Sequence, residues 1–187
     1  QGMVKKMFAD QTFLNGRKMV AVNSINWVRI MVQIVYYFYS ALRLGATDDS
    51  PVSFSVPTGN FGDIYAGYLA KRMGLPIKKL IIATNSNDIL TRFIKQNEYN
   101  RKDLIDTLSP SMNIQVSSNF ERLLFDVYKN KNREEEIATL MQNFEKNGFL
   151  KVDNEILEVI KSDFDSYSID DESTCRLIKD VYDCNGE

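Results

Sequence analysis

The sequence predicts an α/β domain whose strands form a parallel sheet, and three observations carry that expectation. Short β-branched runs alternate with helical periodicity in units of about 25–30 residues, the spacing of strand–helix–strand crossovers. The run Val52–Val56 breaks into Pro57-Thr58-Gly59-Asn60-Phe61-Gly62-Asp63, a short glycine loop that opens directly onto a helix. Polar clusters follow each strand run, at the carboxyl edge where such sheets bind ligands.

Element by element, Val20-Ala21-Val22 is a short buried-strand signal, and Asn23 and Ser24 after it are good N-caps. An almost wholly apolar helix then runs from Ile25 to about Leu44, and Gly45 ends it. The loop Ala46–Pro51 leads to the strand Val52–Val56, the glycine loop, and a helix from Asp63 to Met73 closed by Gly74 with Pro76 beyond. Lys79–Ala83 is the next strand, and a sheet of this kind is expected to be buried on both faces. Thr84-Asn85-Ser86-Asn87-Asp88 follows it, and its Asx and Ser residues are expected to cap a helix. Beyond Ile94 the pattern loosens through Lys95–Asp103 and an irregular loop at Leu108–Met112. Helical periodicity returns in Asn119–Tyr128, Glu134–Asn147, Asp153–Phe164 and Glu172–Val181.

Composition narrows the function. With 187 residues, 44% hydrophobic and 26% charged, and a net charge of −2, the chain is ordinary for a globular protein and carries no basic footprint for nucleic acid. Its longest apolar stretch, Ile30–Tyr39, is interrupted by Gln33 and is far short of the roughly 20 residues that cross a bilayer, so no membrane partner is expected. Cys175 and Cys184 alone support neither a disulfide framework nor a four-ligand zinc site, which points to a reducing, cytoplasmic setting. No histidine is present, which closes Ser–His–Asp and Cys–His chemistry within these residues.

The glycine loop suits an anion. Gly59 and Gly62 are expected to take positive φ and let the backbone approach a ligand, while the helix start offers unpaired N–H groups and the positive end of its dipole. The loop lacks the Gly-Lys-Ser/Thr ending of a nucleotide P-loop and the three-glycine dinucleotide fingerprint, so a phosphate monoester fits it better; the same Gly-x-x-Gly pattern also occurs in turns that bind nothing. Asp63 is expected to turn toward its own helix and cap it, since an inward carboxylate would repel a phosphate. In the second cluster, Asn23 and Ser24 start a helix that carries Arg29 one turn on. A guanidinium in an apolar helix needs a partner, either an anionic substrate at the core edge or a carboxylate in an internal ion pair. The aromatic run Tyr36-Tyr37-Phe38-Tyr39 is expected to pack.

Five segments together resemble the threonine synthases of fungi and proteobacteria: Ala21–Arg29, Gln33–Phe38, Val56–Asp63, Ala83-Thr84-Asn85 with Asn87-Asp88, and Ser117-Ser118-Asn119-Phe120-Glu121-Arg122. The resemblance spans nearly the whole chain. It implies a three-layer, tryptophan-synthase-β-like fold that uses pyridoxal 5′-phosphate. The reaction it implies turns O-phospho-L-homoserine and water into L-threonine and phosphate, with the cofactor as electron sink. By the same resemblance, Gly59, Asn60, Phe61, Gly62 and Asp63 fall on the cofactor-phosphate loop, and Asn23, Ser24 and Arg29 on residues associated with the substrate's phosphate. No metal is implied, and the only partner implied is a small phosphorylated amino acid.

The family's Schiff-base lysine stands in a Phe-Lys-Asp context in an N-terminal part, and no lysine here has that context. The chain is therefore expected to be a portion of the enzyme, inactive alone, with residues 1–104 as the α/β cofactor-binding part and 105–187 as a loop plus a mostly helical segment. Two alternatives remain at this level: a threonine-synthase-like phospholyase that gives 2-oxobutyrate, and a non-catalytic phosphate-binding or interaction domain.

Overall fold

The computed structural model describes Met7, residues 10–18 and residues 23–186. After a one-turn helix α1 (Gln11–Leu14), the long helix α2 (Trp27–Arg43) leads to strand β1 (Val52–Pro57), helix α3 (Gly62–Arg72) and strand β2 (Ile77–Thr84). Helix α4 (Ile89–Gln96) and the two-residue strand β3 (Tyr99–Asn100) precede a long loop with a 3-10 turn at Pro110–Met112. The rest comprises α5 (Phe120–Lys129), α6 (Glu136–Asn147), β4 (Phe149–Leu150), α7 (Asn154–Asp163), β5 (Phe164–Ser168) and α8 (Asp171–Asn185).

The main sheet has the order β1-β2-β5 and is parallel throughout. The α/β class and the parallel sheet are as expected from sequence, but one strand was not legible there. Asp153–Phe164 has helical periodicity, yet the helix stops at Asp163 and the chain continues as β5. Its sequence, Phe-Asp-Ser-Tyr-Ser, lacks a β-branched run. What makes it a strand is the exposed edge of β2, against which Leu80 pairs with Phe164 and Ile82 with Ser166. The expected strand Val20–Val22 lies outside the described residues.

One face of this sheet carries the core. Phe54, Leu80 and Phe164 are register partners there. Helix α2 meets this face through Tyr37 on Phe54, with ring centroids 4.9 Å apart, and α3 meets it through Tyr68 on Phe164 at 5.8 Å. Helix α4 adds Thr91, whose hydroxyl lies 2.7 Å from that of Ser166. On the opposite face Ser53, Ser55 and Tyr167 are exposed and Ile81 and Ala83 are half-buried, so the described helices named here leave that face partly open.

Helix α2 departs from expectation in two ways. Its cap is Asn26, whose Oδ1 accepts from the Val28 N–H, rather than Asn23 or Ser24. Its apolar surface is buried along one stripe only, Ile30, Tyr37 and Ala41, while Val28, Met31, Val32, Val35, Tyr36, Tyr39 and Leu42 are exposed. Tyr37 packs as the aromatic run suggested; Tyr36 and Tyr39 do not. Close approach of α2 to α3 depends on Gly67, where a Cβ would come within 2.5 Å of the Tyr37 ring. Among the described residues, no helix is long and apolar enough to cross a membrane.

Candidate functional site

Thr58 extends β1 by one residue, its N–H donating to the Ala83 carbonyl at 2.8 Å and its hydroxyl to the Val56 carbonyl at 2.6 Å. Beyond it the chain leaves the sheet and turns into α3 within three residues. The positive φ expected of the glycines falls instead on Phe61, at φ 63°, and not on Gly59 or Gly62. The glycines serve close approach instead. A Cβ on Gly59 would lie 3.1 Å from Ile114 Cγ1 and 3.3 Å from the Ser111 carbonyl, and one on Gly62 would lie 3.4 Å from Asn119 Nδ2. A left-handed Phe61 costs on the order of 1–3 kcal/mol. Burial of its ring offsets a similar amount, ~1.5–3 kcal/mol. The ring is 1% exposed and packs against Phe120 at 5.5 Å and Phe164 at 5.7 Å.

That geometry leaves donors unspent. Among the described residues, the main-chain N–H groups of Gly59, Asn60, Phe61 and Gly62 donate to no acceptor, and no side chain caps α3. Their carbonyls are held from behind: Ser117 Oγ donates to the Gly59 carbonyl at 2.7 Å, and Asn119 Nδ2 to the Asn60 carbonyl at 2.9 Å. Free N–H groups at the start of a helix, on the positive end of its dipole, form an anion site.

The loop, residues 57–64, lines a cavity of about 140 Å³ together with Ser24, Arg29 and Gln33. Arg29 is exposed and forms no ion pair with any described carboxylate, so the internal ion pair considered from sequence is not present. Ser24 reaches the cavity; Asn23 does not line it, and its Oδ1 accepts from the Ile25 N–H at 3.0 Å. Asp63 lines the cavity rather than capping its helix, and the Tyr37 hydroxyl donates to its carbonyl at 3.0 Å. Part of the Asp63 side chain reaches solvent, but the surrounding walls desolvate it and push its carboxyl above the usual range, with the Tyr37 hydroxyl offsetting some of the rise.

The third polar cluster has a different task from the helix capping expected of it. Asn85 Nδ2 donates to Thr107 Oγ1 and to Asn113 Oδ1, both at 2.8 Å. Asn87 donates to the Ile105 carbonyl at 2.8 Å and accepts from the Ile105 N–H at 2.9 Å. The two amides pin the 105–113 loop to the exit of β2, and the continuation of that loop brings Ile114 beside Gly59. Asp88 pairs with the buried Arg92 at 2.8 Å instead of capping α4.

Gln33 in the cavity wall and Ser117 and Asn119 behind the loop are not among the site residues expected from sequence. The only signal for them was their place in segments that resemble a family. Among the described residues no cluster of His, Cys, Asp and Glu could hold a metal ion.

No protein-family model matches the chain. A threonine synthase from Pseudomonas aeruginosa is 56% identical over 187 residues, 100% of this chain and 39% of that protein. One from Saccharomyces cerevisiae is 46% identical, covering 98% of this chain and 37% of its own length. A crystal structure of PLP-bound threonine synthase from Brucella melitensis matches with a TM-score of 0.92 and 48% identity, over 100% of this chain and 40% of that one. The chain thus spans just under two fifths of the length of these curated relatives. At this identity, sustained over its full length and with the same fold, the chain belongs to the threonine synthase family.

Proposed function

We propose that the protein carrying this chain is a threonine synthase, converting O-phospho-L-homoserine and water into L-threonine and phosphate with pyridoxal phosphate as cofactor. The observation that carries the reading is the row of unspent amides at Gly59, Asn60, Phe61 and Gly62, beside a cation, Arg29, that has no carboxylate partner among the described residues.

The residues fit a phosphate group. Four amides and a helix dipole favour an anion, and the cavity is smaller than the roughly 300–1,000 Å³ of a drug-sized pocket, so it takes a phosphate end rather than a whole cofactor. Gly59, Asn60, Phe61, Gly62 and Asp63 would hold the phosphate of the cofactor. The cofactor, when bound, supplies carbanion stabilisation. Ser24 and Arg29, with the carboxamide nitrogen of Asn23, would receive the substrate's phosphate and stabilise the charge that develops as it leaves. Asp63 lines the same cavity, whose walls desolvate its carboxyl and raise it above the usual range. The Schiff-base lysine is not among these residues in its family context; this chain positions phosphates, and the covalent chemistry belongs to the rest of the protein. Two exposed, unpaired cysteines fit a reducing compartment and support a cytoplasmic enzyme.

Product analysis of the full-length protein on O-phospho-L-homoserine tests the reading. Threonine and phosphate in equal amounts are expected. Release of 2-oxobutyrate and ammonia would make it a phospholyase, and phosphate binding without turnover or cofactor absorbance would make it a non-catalytic module.

A further inference from the structure

The segment Ser117–Arg122 lies behind both candidate phosphate loops, and its bonds decide how those loops face. In a trans peptide the C=O and N–H groups point to opposite sides. No described peptide bond is cis. Ser117 Oγ holds the Gly59 carbonyl, so the N–H of Asn60 points away from Ser117. Asn119 holds the Asn60 carbonyl twice, through Nδ2 at 2.9 Å and through its own N–H at 3.1 Å, so the N–H of Phe61 also points away from this segment. The same Nδ2 donates to the Ser24 carbonyl at 2.9 Å. Asn119 Oδ1 in turn accepts from Arg122 Nε at 3.0 Å, and the other arm of that guanidinium donates to the Ile25 carbonyl at 2.9 Å.

Asn119 is fully buried, and among the described residues no other side chain bonds the main chain of both loops. Without it, the Ser24 carbonyl would lose its donor and the Asn60 carbonyl one of its two, and the Asn60–Phe61 peptide would be freer to turn its carbonyl toward an incoming phosphate. We propose that Asn119 is a positioning residue that aims the glycine-loop amides and fixes their distance from the Ser24–Arg29 turn, so that the two phosphate sites are set by one side chain. Ser117 trims the cofactor side of this arrangement and Arg122 the substrate side. The proposal rests on the reading that these loops take the phosphates of cofactor and substrate.

The test measures two constants in the full-length protein: the Kd of the cofactor-free form for pyridoxal phosphate, by equilibrium dialysis, and the KM for O-phospho-L-homoserine. Ser117→Ala should raise the Kd about fivefold and leave KM alone, and Arg122→Gln should do the reverse, as expected for the loss of one side-chain bond to the main chain of each loop, at the Gly59 and Ile25 carbonyls. Asn119→Ala should raise both about tenfold or more. A merely structural role would lower the unfolding temperature and leave both constants unchanged in folded protein, and that result overturns the proposal. Should Asn119→Ala not fold, the opposite selectivities of Ser117→Ala and Arg122→Gln decide: the split supports the proposal, and parallel or absent shifts reject it. Unmodified protein that fails to bind pyridoxal phosphate removes the functional reading instead. Dialysis with inorganic phosphate then decides the positioning role, which stands if Asn119→Ala weakens that binding and falls if it does not.

Discussion

Helices α3 and α7 begin in opposite ways. At the start of α7, Asp153 Oδ1 accepts from the Ile156 N–H at 3.0 Å, and the same carboxylate pairs with Arg133 at 2.8 Å. Helix α8 repeats the device with Asp170 and the Ser173 N–H at 2.7 Å. At the start of α3 no side chain caps, and the amides from Gly59 to Gly62 have no acceptor among the described residues. What holds that turn is the buried ring of Phe61 on one side and the Ser117–Asn119 segment on the other. A helix start that spends its donors on its own side chains is structural. At α3 the withheld amides also line a cavity beside Arg29, and it is that combination, not the missing cap alone, that suits an anion.

The comparison breaks most visibly at Phe61. Phe61→Ala removes the ring from between Phe120 and Phe164 and should destabilise the protein by about 3–5 kcal/mol, seen as a lower denaturation midpoint. A small loss would mean that packing does not hold the uncapped turn. Gly67→Ala sets a Cβ against the Tyr37 ring and should cost about 1–3 kcal/mol while loosening the Tyr37 bond to the Asp63 carbonyl. Weaker retention of pyridoxal phosphate in dialysis should accompany it. Asp153→Ala deletes the cap of α7 and its ion pair with Arg133, neither of which touches the glycine loop, so about 1 kcal/mol of stability should go with no change in phosphate affinity. A changed affinity would erase the distinction between the two starts.

The smallest effect is the sharpest, because the two regions titrate with opposite sign. The Asp63 carboxyl is raised by burial, so the folded state holds its proton longer than the unfolded state does, and stability falls as pH rises from the ordinary carboxylate value through the raised one. Asp153 is lowered, chiefly by the Ile156 N–H and then by Arg133, so its contribution is present above the ordinary value and is lost as pH falls through the lowered one. Denaturant midpoints measured against pH for Asp63→Asn and Asp153→Asn should each flatten one arm of the profile, the neutral-going arm for the first and the acid arm for the second.

Much of this was legible because it is local. The alternation around β1, α3 and β2 and the glycine loop between them depend on residues within one or two turns of each other, and each element lies within a few residues of its expected bounds. The Asn85 and Asn87 side chains show where legibility ends. Their types suit caps, and nothing nearby says that they will instead reach Thr107, Ile105 and Asn113. Arg29 is a similar case, since a cation in an apolar helix looks obliged to pair within the core until the structure shows it exposed at a cavity edge.

By itself, then, the sequence determined the α/β class and, through five spaced segments, the family, and it singled out Thr58–Asp63 as the candidate anion loop. Only the tertiary structure decided that β5 completes the sheet, that Phe61 rather than a glycine is left-handed, and that Asn119 binds both loops. The physical reason is separation along the chain. Asn119 meets Asn60 across 59 positions and Ser24 across 95, and contacts of that span depend on the path of the whole backbone, which no local periodicity encodes.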